Sequence, residues 1–213
     1  MDNNIKIFHT KAEEYDHWFD KHPAIFESEV RAIAQLIPQN KKGIEIGVGT
    51  GRFASRLGIK IGIEPSVEMA KLAIRRGIKV VSAKAKSLPF KDGEFDFALF
   101  VTVLCFLERP EDALREAIRI IKPGGTIVIA TINPDSEAGR AIKASTHKDS
   151  FYASANLHSV KEIENMMIQE GLINFSKVQT IFGPPDNITS PQSPREGSQE
   201  GGFVVLCGDK ILK

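Results

Sequence analysis

The sequence predicts an α/β fold: a doubly wound, mostly parallel seven-stranded sheet that ends in an antiparallel hairpin. Three observations carry that reading. The apolar run Ile44-Glu45-Ile46 feeds straight into Gly47, Gly49 and Gly51, and Arg52 to Leu57 then reads as a helix. Further short apolar runs follow at 59–64, 78–81, 95–101 and 126–130, most of them separated by helical patterns, the alternation of a parallel α/β chain. The runs at 172–182 and 203–207 have no helical pattern between them, so they pair antiparallel.

Composition narrows the classes. A chain of 213 residues suits one domain with a sizeable core. Its parts are an N-terminal arm and helix (1–38) and the α/β unit (39–213). A hydrophobic share of 42% and a net charge of +1 give no basic field for nucleic acid. Cys105 and Cys207 lie in apolar segments, as buried thiols in a reducing compartment do. No Cys-x-x-Cys or His-x-x-x-His pair points to a metal. Met1-Asp2-Asn3-Asn4 opens no signal peptide, and no apolar run is long enough to span a membrane. The expectation is a cytoplasmic protein with no metal, no membrane partner and no nucleic-acid partner.

The elements follow in order. Residues 1–22 are polar with Phe8, Tyr15, Trp18 and Phe19 interspersed. Pro23 suits a first helical turn. Phe26, Val30, Ile33 and Ile37 recur at helical spacing, and Pro38 ends that helix. The glycine turn lets a ligand approach the backbone closely, and the helix after it offers free N–H groups. Its spacing is Glu-x-Gly-x-Gly-x-Gly, with Arg52 where a dinucleotide site wants its last glycine.

That motif resembles the first motif of the class I S-adenosylmethionine (SAM)-dependent methyltransferases. The resemblance implies that Glu45, Gly47, Val48, Gly49, Thr50 and Gly51 wrap the amino-acid tail and ribose of SAM. Tyr15-Asp16-His17-Trp18-Phe19 is similar to the segment that precedes many small-molecule methyltransferase domains and folds over the cofactor as a lid. An amphipathic arm packed on the core is the alternative for that segment.

The second strand, 59–64, ends at Glu64, on the edge that faces the ligand crevice of an open parallel sheet. A carboxylate there accepts from two ribose hydroxyls, and the family has its ribose-binding acid in this position, followed here by Pro65. Ser66 caps the next helix. Met69 in that helix reaches the adenine or packs in the core. Leu88-Pro89-Phe90, Asp92-Gly93 and Phe95-Asp96 resemble the family's third and fourth motifs, with one departure. Lys84 stands where the family has an acid bonded to the adenine amino group, and lysine only donates. Backbone groups from Ala83 through Lys84 and Ala85 to Lys86, with the side chain of Leu88, are then left to read the base.

Phe95 to Val101 is a strand buried on both faces. Val101, Thr102 and Val103 cross the ligand edge and, by resemblance, line the space between SAM and acceptor; Cys105 and Phe106 line it too or sit in the core. Pro110 opens a helix that Lys122-Pro123-Gly124-Gly125 breaks. The segment 133–158 is an insertion with a short helix near Ala138 to Ala144. Ser159-Val160-Lys161-Glu162 is a capping box, and 183–202 reads as a long mobile loop.

Methyl transfer from a sulfonium requires positioning more than acid–base help, so no catalytic residue is assigned. His9, His17, His147, His158, Tyr15 and Tyr152 are side chains available to an acceptor or to packing. The Asp/Asn-Pro-Pro-aromatic motif of amino-methylating DNA enzymes is missing after the fourth strand, where the chain reads Phe100-Val101-Thr102-Val103. Leu104 precedes Cys105, where cytosine enzymes have Pro-Cys. A small-molecule acceptor is expected. The alternative is a SAM-binding protein of this fold without catalysis, acting as a sensor or partner subunit, as Lys84 suggests.

Overall fold

The computed structural model describes residues 3–144 and 151–212. The N-terminal arm folds as two helices, α1 (Asn3–Thr10) and α2 (Ala12–Lys21). The next helix, α3 (Pro23–Leu36), has its proline in the first turn, and Phe26, Val30, Ile33 and Ile37 are buried as their spacing requires.

The strands are β1 (Gly43–Ile46), β2 (Ile61–Ile63), β3 (Lys79–Val81), β4 (Phe95–Val101), β5 (Ile121–Ile132), β6 (Leu172–Thr180), β7 (Arg195–Glu196) and β8 (Phe203–Lys210). They form one sheet in the order β3-β2-β1-β4-β5-β8-β6-β7. Strands β1 to β5 run parallel, while β8 is antiparallel to both β5 and β6. The order reverses between β1 and β4, and a crevice for ligand opens at such a switch point. Helices α4 (Arg52–Arg56), α5 (Val67–Arg75), α6 (Pro110–Ile120), α7 (Glu137–Ala144) and α8 (Val160–Gln169) complete the chain.

Strand β4 shows why its run is apolar throughout. Phe97, Leu99 and Val101 enter the core shared with α3, whereas Ala98 and Phe100 enter the core shared with α6 and α8. Each large side chain buried this way contributes about 1.5–3 kcal/mol. The expected capping box forms: Ser159 Oγ accepts from Glu162 N (3.2 Å) and Ser159 N donates to Glu162 Oε2 (2.7 Å).

Three expectations are corrected. The sheet has eight strands, because a two-residue edge strand, β7, pairs with β6 through Val178↔Glu196 and Gln179↔Arg195. The stretch 183–202 that contains it is tied down, not a free loop. Gln192 N donates to Ser28 Oγ (2.8 Å), Gln192 Oε1 accepts from Phe182 N (2.7 Å), and Gln179 Oε1 accepts from Glu200 N and Gly201 N (2.8 Å each). Glutamine side chains there replace a strand ladder, which a Pro-, Ser- and Gly-rich composition conceals. Strand β5 starts at Ile121, not Thr126, since Lys122 to Gly125 loop out as a bulge between Phe95↔Ile121 and Phe97↔Thr126. Of the two thiols, Cys105 is buried and Cys207 half-buried, and both are free. No helix among the described residues is long and apolar enough to cross a membrane.

Candidate active site

At the switch point the chain leaves β1 through a tight turn. Gly47 N and Val48 N both donate to Ile63 O (2.9 and 2.8 Å), and Gly51 N donates to Val48 O (2.8 Å). Gly47 has φ +76° and Gly49 φ +54°, backbone that glycine adopts without steric cost. A Cβ on Gly47 would lie 2.5 Å from Val103 Cγ2, while one on Gly49 would enter open space. That space is a cavity of about 270 Å³, near the lower end for ligand sites.

Of the residues expected from the sequence, Tyr15, Gly47, Gly49, Glu64 and Pro65 line the cavity, as do Lys84, Ala85, Val101, Thr102 and Val103. Lys84 is exposed at this wall. The others sit behind it. Val48 is buried against Gly62, Thr50 O accepts from Arg76 Nη1 (2.9 Å), and Gly51 packs on Ala73. Met69 is buried and Ala83 packs against the core below. Leu88 is also core, with its N–H donating to Glu116 Oε2 (2.8 Å).

Two carboxyls shape the electrostatics. Glu64 is buried, and its oxygens accept from Gly49 N (3.0 Å) and Ser66 N (2.8 Å). Burial pushes it up to about 7 against the pull of those two N–H groups. Glu45 is 1% exposed, and its Oε2 has no hydrogen-bond partner. Burial holds its carboxyl well above the usual range; the N–H of Ala54 opposes this, and the charge of Glu64 adds to it.

An ion-pair clasp joins the N-terminal helices to the glycine turn. Arg52, the first residue of α4, forks between two acids on α2. Its Nε and Nη2 donate to Asp16 and its Nη1 and Nη2 to Asp20, all at 2.8–2.9 Å. Arg76 Nη2 donates to Asp16 Oδ2 (2.7 Å) while its Nη1 holds Thr50 O. Burial alone would raise Asp16, but hydrogen bonds from Arg52, Thr50 and Arg76 bring it down to about 2. The sequence identified Arg52 only as the residue that rules out a dinucleotide turn.

The far end of the cavity is aromatic. Phe8, Tyr15, Phe106 and Tyr152 line it, with Phe8 standing edge-on to Tyr15 (86°) and to Phe106 (85°). Thr102, at φ +50°, is a strained residue of the kind found at functional sites. Burial, and then the charge of Glu29, push the Tyr15 hydroxyl up. Tyr152 is raised by burial first, with Tyr15, Cys105 and Glu29 adding; for both tyrosines a hydrogen bond to Thr102 opposes the rise. Glu29 itself is not among the residues that line the cavity. Of the histidines, His17 is exposed and bonded to Glu13 O (2.7 Å), while His9 lines a separate groove beside α5. His158 is outside the cavity wall, and His147 lies outside the described residues. No three His, Cys, Asp or Glu among the described residues are grouped to hold a metal ion.

Comparison with known proteins gives consistent matches. The family described as "Methyltransferase domain" matches residues 44–129. A crystal structure of a SAM-dependent methyltransferase from Thermotoga maritima, described as a possible histamine N-methyltransferase, is 42% identical with TM-score 0.94. The match covers 97% of this chain and 99% of that one. An uncharacterized protein of Methanocaldococcus jannaschii is 46% identical over 207 residues, 97% of this chain and 100% of its own length. A malonyl-[acyl-carrier protein] O-methyltransferase of a Marinomonas species is 28% identical, covering 80% of this chain and 69% of that protein.

Proposed function

Because this chain belongs to the class I SAM-dependent methyltransferases, we propose that it methylates a small molecule by direct transfer, with Glu45, the glycine turn and Glu64 holding the cofactor. SAM supplies an electrophilic methyl carbon on a sulfonium. Two features of this chain fit that molecule. The unpartnered Oε2 of Glu45 is a buried acceptor that an ammonium group would satisfy. The open space at Gly49 lets a ligand lie against backbone. Glu64 keeps acceptor capacity for ribose hydroxyls, since each carboxylate oxygen has a second lone pair beyond the one used by Gly49 N or Ser66 N. Lys84 donates only, so Ala83 to Lys86 would read adenine through their backbone.

The chain's own contribution to the reaction is positioning and exclusion of water. The rings of Phe8, Tyr15, Phe106 and Tyr152 line one part of the cavity, and the Arg52–Asp16 clasp ties α2 to the glycine turn, so that α1 and α2 would cover the site as a lid. The two matched methyltransferases are described with different acceptor atoms, one as a possible N-methyltransferase and the other as an O-methyltransferase, so family membership alone leaves the acceptor open. The near-neutral charge favours a small cytoplasmic acceptor over nucleic acid. The observation that carries the reading is the glycine turn opening on a cavity with an aromatic far end. The test is a panel of amines, phenols, thiols and carboxylates incubated with methyl-labelled SAM. Turnover of at least one class is the expected result. SAM binding without turnover of any would instead favour a non-catalytic SAM-binding protein, the reading that Lys84 suggests.

A further inference from the structure

Resting on the methyltransferase reading above, we infer that the acceptor carries an anionic group, a phosphate or a carboxylate, that stays at the mouth of the cavity against Lys84 and Lys86 while its uncharged part enters. The anion is a handle, not the methylated atom. Charge is unevenly placed along this chain. It has 28 basic and 27 acidic residues. Residues 69–91 hold seven of the basic ones and none of the acidic ones, so the remainder carries a net charge of −6. Two of the seven are paired: Arg76 with Asp16 (2.7 Å) and Lys71 with Glu68 (2.8 Å). Lys79, Lys84 and Lys86 are exposed, and their ammonium groups have no ion pair or hydrogen bond among the described residues.

The topology brings two of these lysines to the cavity. Strand β3 is an edge of the sheet, and the loop after it carries Lys84 and Lys86 into the cavity wall. Among the described residues that line the cavity, four are exposed, Lys84, Lys86, Glu108 and Arg109, and these mark its mouth. The lysines come from the β3 side of β1, and Glu108 and Arg109 from the β4 side. Arg109 is paired with Asp112 (3.3 Å), which also lines the cavity and is shared with Arg115 (2.9 Å). The two lysines therefore keep their charge free for a ligand. That ligand is not the cofactor. SAM has a sulfonium and an ammonium against one carboxylate, so cations on the wall repel it, and Lys84 offers its adenine no acceptor. An anion at the mouth satisfies both lysines and offsets the charge of the cofactor. Lysine binds such a group as a point charge, without the fixed fork of arginine. The acidic remainder of the chain repels a polyanion that extends past the mouth, whereas a single anionic group lies within the screening distance of about 8 Å from the lysines alone. Inside the mouth the wall turns aromatic, with Phe8, Phe106 and Tyr152, which suits an uncharged body.

The test is calorimetric titration of the full chain, saturated with S-adenosylhomocysteine, at low ionic strength. The probes are benzyl phosphate, phenylacetate, benzyl alcohol and benzylamine, which share a ring and differ in charge. Benzyl phosphate should bind about tenfold and phenylacetate about threefold more tightly than the alcohol, with benzylamine weakest. Whichever anion gains more identifies the handle. Lys86→Gln should remove most of the preference for anions and leave affinity for benzyl alcohol and S-adenosylhomocysteine unchanged. Lys86 is the better site for this than Lys84, where a change also alters the adenine edge. Lys79→Gln removes an exposed lysine of β3 that does not line the cavity, and the preference should survive it. Equal or tighter binding of the alcohol or the amine would overturn the inference. So would an anion preference that persists in Lys86→Gln, or one that Lys79→Gln weakens just as much, since its source would then be the diffuse surface field. Failure of S-adenosylhomocysteine itself to bind would instead overturn the cofactor reading beneath the inference, and the inference with it.

Discussion

The two ends of the cavity are built by different means. The end proposed for the cofactor is backbone: the turn through Gly47, Gly49 and Gly51 at the end of β1, and the loop after β3 at Lys84 and Ala85, with Glu64 bracing the turn. The end proposed for the acceptor is side chain: Phe8 from α1, Tyr15 from α2, Phe106 after β4 and Tyr152 beyond α7. A site made by backbone needs glycine at fixed spacing, because close approach and positive φ exclude other residues. A site made by side chains can draw them from any element that ends nearby, and no spacing results. One end can therefore be inherited unchanged across a family while the other is rebuilt for each acceptor.

The largest effect that would sharpen this contrast is at Gly49. Gly49→Arg puts a long side chain into the open space beside the turn and strains a φ of +54°. SAM affinity should fall more than about 100-fold, roughly 3 kcal/mol, with little change in binding of acceptor-end probes. Loss of both ligands together would mean that the two ends are not separable.

The next concerns pH and the unliganded protein. Glu29 and Glu64 have folded-state values raised to about 8 and about 7. Their contribution is therefore fully present below the unfolded carboxylate range and is lost as pH rises through 7 and 8. Asp16, lowered to about 2, works the other way: its contribution is present above the unfolded value and is lost as pH falls toward 2. Denaturant melts should show stability falling by several kcal/mol between pH 5 and 8.5, and Glu29→Gln should flatten part of that slope. An unchanged slope in the variant would contradict the assignment.

Asp16→Asn breaks the clasp and leaves Arg52 and Arg76 short of a carboxylate. Stability should drop by about 2 kcal/mol, read as a lower melting temperature, and the affinity for SAM should weaken as α2 loosens. A variant as stable as wild type would show that the clasp holds nothing. The smallest effect is a gain. Lys84 is exposed at the cavity wall, and Lys84→Asp supplies an acceptor for the adenine amino group. SAM should bind about three- to tenfold more tightly; unchanged or weaker binding would mean that Lys84 serves an anionic group instead.

The sequence made most of the fold legible, and many of the residues it singled out for the cofactor line one cavity. The apolar runs predicted β1 to β6 and β8, Pro23 and Pro110 opened helices where expected, and Ser159 capped α8. The edge strand at Arg195–Glu196 was hidden because two glutamine side chains, not a hydrophobic alternation, hold its surroundings. The clasp was hidden for a similar reason: Asp16 and Arg52 are 36 residues apart, and no local pattern marks a pairing across that distance. Val48, Thr50, Gly51, Met69 and Leu88 illustrate another limit. They share the motifs of cavity residues, but strand and helix geometry turns them inward, to pack behind the wall.

Amide hydrogen exchange, measured with and without S-adenosylhomocysteine, tests the division of the cavity most directly. Binding should slow exchange at segments 46–52 and 83–86 and leave β6 and β8 unchanged, because the cofactor lies against backbone at the β1–β4 switch point. Slowed exchange confined to other segments, with the glycine turn unaffected, would contradict the account.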